Sequence, residues 1–170
     1  RFLPELKAQL EAWGVGLNVV LNATGLLHNE RVSPERALRQ LELSAMREVF
    51  EVNTFGVALA LKHLTPLLPR RERSIFASLS AKVGSVSDNR LGGWHSYRAS
   101  KAAQHMLIKT AALELARTHP ACVCVALHPG TVATALSEPF RGRVQHEVFS
   151  PEQSAAYLLA VLERLTPSDS

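Results

Sequence analysis

The chain has 170 residues, 46% of them apolar and 20% charged, with a formal net charge of +4. That length suits one domain, and at about 150 residues a domain buries about 70% of its extended-chain surface, enough for a sizeable core. The composition excludes disordered and fibrous classes. A mildly basic balance without a long basic stripe or interleaved aromatics gives no nucleic-acid signature.

Residues 4–13, PELKAQLEAW, read as a helix with Leu6, Leu10 and Trp13 on one face, ended by Gly14 and Gly16. LNVVLNATG (17–25) reads as a short buried strand that breaks between Asn22 and Gly25. Residues 29–42 are polar and carry Pro34, so a surface loop with a helical turn is expected. Residues 44–68 read as one long helix, apolar on most faces apart from Glu51, Asn53 and Thr54, and closed by Pro66 and Pro69. Arg70, Arg71 and Arg73, the densest basic cluster, read as a solvated loop, as do Arg141 and Arg143. RSIFASLS (73–80) is the next strand, followed by a loop rich in Gly, Ser and Asn (81–96). A second long helix runs from Ser96 to Thr118, with Ala102, Met106 and Leu113 marking its apolar steps. Residues 121–127, ACVCVAL, are a third strand that points Cys122 and Cys124 to one face. Such neighbours are ill placed for a disulfide, and buried thiols fit a reducing compartment. Residues 128–140 are a loop with a Pro-Gly turn. Ser150 and Pro151 open a last helix, as N-cap and first-turn proline, that extends to about Leu165.

Strands alternating with long helices predict a single α/β domain with a parallel sheet. The seven histidines show no ligand spacing, so no metal is expected. No run of about 18 apolar residues suggests a membrane span, and RFLPELKAQL lacks the apolar segment of a signal peptide. The expected location is the cytoplasm.

In a parallel sheet the loops beyond the carboxyl ends of the strands collect function. Here those are 22–28, 80–96 and 128–140. Tyr97 and Lys101 open the helix after the second, four residues apart and so on one face. A phenol with a reference pKa of about 10 is a poor acid or base near neutrality. A neighbouring ammonium favours the phenolate and lowers that value. The pair is thereby a candidate general acid–base for carbonyl and alcohol chemistry.

YRASKAA (97–103) resembles the active-site helix of the short-chain dehydrogenase/reductase family, at every position of its extended Y-x-A-S-K-A-A form. Three further motifs follow the family's order. NATG (22–25) is similar to its N-N-A-G turn, VNTFG (52–56) to its N-x-x-G, and HPGTVAT (128–134) to its P-G-x-V-x-T loop. SAKVGSVSDNRLGGWHSYRASK resembles the C-factor-like and sniffer-like carbonyl reductases. The resemblance implies a Rossmann-like, doubly wound, three-layer α/β/α fold. It also implies an NAD(P)-dependent oxidoreductase moving a hydride between nicotinamide and a carbonyl or secondary alcohol.

By the same resemblance, Tyr97 is the proton donor or acceptor. Lys101 lowers its pKa and binds the nicotinamide ribose, and Asn53 holds a relay water. Asn22, Ala23, Gly25, Pro129, Gly130, Val132 and Thr134 line the cofactor. NADP is slightly preferred over NAD. The family's catalytic serine is usually the second of S-S-x-x-G; here the run is Ser80-Ala81-Lys82-Val83-Gly84, so Ser80 is the nearest match and Ser78 and Ser85 are reserves. Trp94, His95, Leu136 and Phe140 are candidates for the substrate pocket or for packing. The resemblance further implies a homodimer or tetramer through helices 44–68 and 96–118.

A complete family member starts with a strand, a Gly-rich turn and a helix that hold the pyrophosphate. GVGLNV (14–19) precedes a strand instead of following one and does not serve. The expectation is therefore the C-terminal two-thirds of a family domain, incomplete at both ends. The alternative expectation is a non-catalytic binding or signalling protein of the same fold, which Ala81 favours.

Overall fold

The computed structural model describes residues 2–143 and 146–170, without the side chain of Arg143, so the second basic cluster is described only at Arg141. Three parallel strands form the sheet, in the order β1 (Val19–Asn22), β2 (Ser74–Leu79), β3 (Cys122–Leu127). Val20 pairs with Phe76, and Phe76 with Cys124, so one register runs across all three. Alternation then sorts the side chains. Val20, Phe76, Cys122 and Cys124 face one side, while Ile75, Ala77, Val123 and Val125 face the other.

The first side is covered by α1 (Phe2–Ala12), α3 (Gly56–Leu64) and α4 (His95–Thr118), through Leu3, Leu6, Leu61, Leu64, Ile108, Ala112 and Leu115. The second is covered by α5 (Pro151–Arg164), through Leu158 and Leu162. Helices on both faces of a parallel sheet make the expected three-layer α/β/α arrangement. Leu162 is 4% exposed, and burying such a side chain contributes roughly 2 kcal/mol.

The structure corrects several sequence expectations. The β1 strand is not buried on both faces: Val19 and Leu21 are exposed and only Val20 is buried. The helix read as 44–68 is not one α-helix. It comprises α2 (Leu43–Phe50), a wide π turn at Glu51–Phe55, α3, and a tight last turn at Thr65–Leu67. In α4 the steps Met106 and Leu113 face outward, 68% and 58% exposed. The buried stripe is instead Tyr97, Lys101, Gln104, Ile108, Ala112 and Leu115. Trp13 is likewise exposed. Arg73 is not merely solvated, since its guanidinium donates to the carbonyls of Leu162, Glu163 and Leu165 and closes the end of α5. A two-residue pair, β4 (Thr131–Val132) with β5 (Val148–Phe149), was not foreseen.

The start of α5 is as expected: Ser150 Oγ accepts from Gln153 N at 3.1 Å, and the Gln153 side chain returns to Ser150 N at 2.8 Å. No helix is long and apolar enough to cross a membrane among the described residues.

Candidate active site

A cleft of about 600 Å³ opens beyond the carboxyl ends of the three strands. Its floor is the first half of α4, and the loops after β1, β2 and β3 form its sides. Apolar side chains dominate its lining, as in most small-molecule sites.

The π turn at 51–55 places Asn53 beneath the floor. An extra residue in a helical turn rotates the side chains that follow, and such turns recur at functional sites. Asn53 is fully buried, and its carboxamide is fully engaged. Oδ1 accepts from Leu26 N at 2.7 Å, while Nδ2 donates to Leu26 O at 2.8 Å and Ser100 Oγ at 3.1 Å. Asn53 thus staples the loop after β1 onto α4. Ser100 Oγ in turn donates to Tyr97 O at 2.8 Å.

Tyr97 and Lys101 share the inward face of α4, 8% and 3% exposed. Lys101 Nζ lies 5.7 Å from the centre of the Tyr97 ring. It donates to Gln104 Oε1 at 2.9 Å and Leu79 O at 3.3 Å. Burial pushes the Tyr97 phenol up to about 12 and the Lys101 ammonium down to about 8. This reverses the direction expected for Tyr97 from sequence: desolvation of the phenolate outweighs the ammonium beside the ring.

Ala81 and Ser80 both line the cleft. The Ser80 hydroxyl lies 2.7 Å from His105 Nε2, two turns along α4 from Tyr97. His105 is held below its ordinary pKa by burial and by the Lys101 charge. The turn at Lys82–Gly84 lies so close to α4 that a Cβ on Gly84 would sit 2.7 Å from His105 Cε1 and 2.8 Å from the Lys101 carbonyl carbon. Only glycine permits that approach. Ser78 is buried and bonded to Asn22 and Gln104, and Ser85 pairs with Ser87 on the exposed loop.

Among the cofactor candidates, Ala23, Gly25, Pro129, Gly130, Val132 and Thr134 line the cleft. Asn22 does not; it donates to Ser78 Oγ at 3.0 Å and accepts from Thr24 Oγ1 at 2.8 Å, so it shapes the loop. Gly130 has φ +76°, and a Cβ there would strike the Phe149 ring at 2.7 Å. Trp94, Leu136 and Phe140 line the cleft and His95 does not. Trp94 stands edge-on to Phe140 at 4.9 Å and to Tyr97 at 6.1 Å.

Sequence reasoning missed Glu35. It lies in the polar stretch read as surface loop, yet it is 5% exposed. Its carboxylate accepts from Ser96 N at 3.2 Å and bonds the Ser96 hydroxyl, and its carbonyl accepts from Trp94 N. It therefore supplies an acidic cap to α4, whose own cap residue, Trp94, is left-handed at φ 52°. No periodicity marks a cap supplied from 61 residues away. Gln104 was also missed, although its place three residues after Lys101 puts it on the same face.

The family model for short chain dehydrogenases matches residues 5–144. The chain belongs to that family. It is 34% identical over 165 residues to the 1-hydroxy-2-glutathionyl-2-methyl-3-butene dehydrogenase of Rhodococcus sp. (strain AD45), a match covering 97% of the chain and 68% of that enzyme. An NADPH-bound carbonyl reductase from chicken fatty liver superposes with a TM-score of 0.78 at 28% identity, covering 99% of this chain and 66% of that one. The carbonyl reductase Sniffer of D. melanogaster has a TM-score of 0.81 at 22% identity, covering 96% and 66%. This short-chain dehydrogenase chain thus spans about two-thirds of each of these proteins.

The cleft suits the nicotinamide end of a dinucleotide. A Cβ on Gly25 would come no closer than 3.9 Å to Asn53 Oδ1 and Lys101 Nζ, so backbone and ammonium border the same space. Both line a cavity within the range of about 300–1,000 Å³ usual for small ligands.

Proposed function

We propose that the protein carrying this chain is an NAD(P)-dependent oxidoreductase that interconverts a carbonyl and a secondary alcohol. The observation that carries this reading is the buried Tyr97–Lys101 pair on the floor of an apolar cleft beyond the strand ends. The Rhodococcus relative is named a dehydrogenase and the chicken relative a carbonyl reductase, which supports the same class.

Bound nicotinamide supplies or accepts the hydride. Tyr97 Oη gives its proton to the substrate oxygen, turning the carbonyl into an alcohol, and regains one from solvent. Held near 12 by burial, the phenol is protonated at neutral pH but is a weak acid, and the Lys101 ammonium beside the ring is what favours the phenolate left by proton transfer. Lys101 is the donor for the ribose hydroxyls. Ala23, Gly25, Pro129, Gly130, Val132 and Thr134 shape the nicotinamide side of the cleft. The Asn53 carboxamide is spent on Leu26 and Ser100, so its contribution is to hold loop and helix together. Trp94, Leu136 and Phe140 form the substrate wall.

NADP is the preferred cofactor in this reading, since a chain of net charge +4 attracts the additional phosphate. The buried, unpaired thiols of Cys122 and Cys124 accord with a cytoplasmic setting. Phe55 and Leu59 around the π turn, with Met106 and Leu113 of α4, expose apolar surface that a homodimer or tetramer would cover. Sedimentation at micromolar concentration should give twice or four times the chain mass, and a monomer would remove that part.

The test of the reaction is NADPH and NADH oxidation by the intact protein across a panel of ketones and aldehydes, beside Tyr97→Phe. Turnover that Tyr97→Phe abolishes supports it. A second reading, a non-catalytic binding or signalling protein, is favoured by Ala81 at the usual serine position. It predicts no turnover on any carbonyl and a biological activity that Tyr97→Phe leaves intact.

A further inference from the structure

Gln104 lies on the buried stripe of α4, three residues beyond Lys101 and seven beyond Tyr97, with no exposed surface. Its orientation is set by its partners. Nε2 donates to Ser78 Oγ at 2.8 Å and Leu79 O at 3.0 Å, which turns Oε1 toward Lys101 Nζ at 2.9 Å. A flipped amide would set its NH₂ against the ammonium and its oxygen against the Leu79 carbonyl. Ser78 Oγ also accepts from Asn22 Nδ2 at 3.0 Å, and Asn22 Oδ1 accepts from Thr24 Oγ1 at 2.8 Å. One chain of hydrogen bonds therefore runs beneath the cleft, from the lysine to the loop after β1. Lys101 and Thr24, at its two ends, both line the cleft.

We propose that Gln104 is a positioning residue: its Oε1 fixes the Lys101 ammonium and ties it, through Ser78 and Asn22, to the loop that faces the cofactor. This rests on the reading of Tyr97 and Lys101 given above. Charge near the lysine offers no substitute for the amide. Tyr97 and His105 share its helix, Lys82 sits in the turn packed against α4, and His128 ends the chain's approach along β3. Glu35, at the start of α4, is committed to Ser96. Lys101 makes no salt bridge among the described residues. Its charge is held by two neutral acceptors, and Gln104 gives the shorter bond.

The experiment follows the Lys101 Cε resonance with pH in the cofactor-free intact protein, assigned by its loss in Lys101→Met. Gln104→Leu should lower the Lys101 titration by about one pH unit, because a hydrogen bond to a charged group is removed. Gln104→Glu should raise it by at least as much, because a carboxylate replaces the amide. The alkaline limb of kcat/KM for the reduced cofactor should move the same two ways. At about pH 8.5 the leucine variant then loses about tenfold, and at about pH 6.5 it returns to wild-type rate. Gln104→Met serves in place of leucine if that variant does not fold. Unshifted titrations, or equal losses at every pH in both variants, would reduce Gln104 to packing and overturn the proposal. Opposite titration shifts in a protein without hydride transfer would support the positioning role and sink the oxidoreductase reading alone.

Discussion

The two halves of the α4 stripe are equally buried and chemically opposed. From Ser96 to Gln104 the buried side chains are Ser96, Tyr97, Ser100, Lys101 and Gln104; from Ile108 to Leu115 they are Ile108, Ala112 and Leu115. The second half gains stability by removing apolar surface from water. The first half carries buried polar groups that are favourable only when paired, and its ammonium is poorly solvated. One helix joins them, so the apolar end anchors the helix on which the costly polar end is displayed. That division explains how a buried lysine persists without a carboxylate.

The sharpest way to separate the halves is to change one residue in each. Tyr97→Phe should lower carbonyl reduction by about 10³-fold, within the range usual for a lost general acid. The Tyr97 hydroxyl makes no hydrogen bond to the described residues, so the melting temperature should hold or rise slightly. A variant that melts early would mean the hydroxyl is structural. Ile108→Ala should do the reverse. It leaves the cleft lining untouched and opens a cavity in the core cluster that also holds Phe76 and Leu61, at a cost of about 3 kcal/mol. Rates measured well below its melting point should stay near wild type. A large loss of rate without loss of stability would mean the apolar half bears on the chemistry directly.

The layered fold was legible because its signals are local and periodic. Strand runs, helix lengths and the Ser150-Pro151 start all lie within a few residues of the elements they make. The site was legible for the same reason where it is contiguous: Tyr97 and Lys101 are one turn apart, and the glycine loops fall at strand ends. What failed was anything set by tertiary partners. The π turn at Asn53 forms where that side chain bonds Leu26 and Ser100, 27 residues before it and 47 after it. Glu35 bonds Ser96 across 61 residues, and His105 bonds Ser80 across 25. The outward Met106 and Leu113 mimic a core stripe by period alone, and only the sheet position tells which stripe faces in. The Tyr97 shift was misjudged because sequence shows the neighbouring charge and not the depth of burial.

Ala81→Ser tests whether the polar half lacks a group. Ala81 lines the cleft, whereas the Ser80 hydroxyl is already bonded to His105. A hydroxyl at position 81 is placed to donate to a substrate oxygen as charge develops there. On the proposed oxidoreductase reading the gain should be partial: about tenfold in kcat, with little change in cofactor KM. Ser80→Ala should then reduce rate by less than Ala81→Ser increases it. If Ser80→Ala instead abolishes turnover, Ser80 is the polarising hydroxyl and its bond to His105 orients it for that purpose.

The smallest effect is on stability against pH, and its sign separates the ionisable groups. Lys101 titrates near 8 when folded and near 10.5 when unfolded, so between those values the unfolded chain holds the extra proton and stability rises with pH. The gain should reach about 1 kcal/mol by pH 9. Cys124, raised from 9 to about 12 by burial and by Cys122, works in the opposite sense above pH 9, because the folded chain now holds the extra proton. Tyr97 adds to that loss above pH 10. Chemical denaturation of the cofactor-free intact protein should therefore show stability rising from pH 8 to 9, level to about 10, and falling beyond. Cys124→Ala should extend the rise to about pH 10, and Lys101→Met should remove it. A rise that survives Lys101→Met would place the responsible proton elsewhere, and the polar half of α4 would then carry its ammonium at no measurable cost.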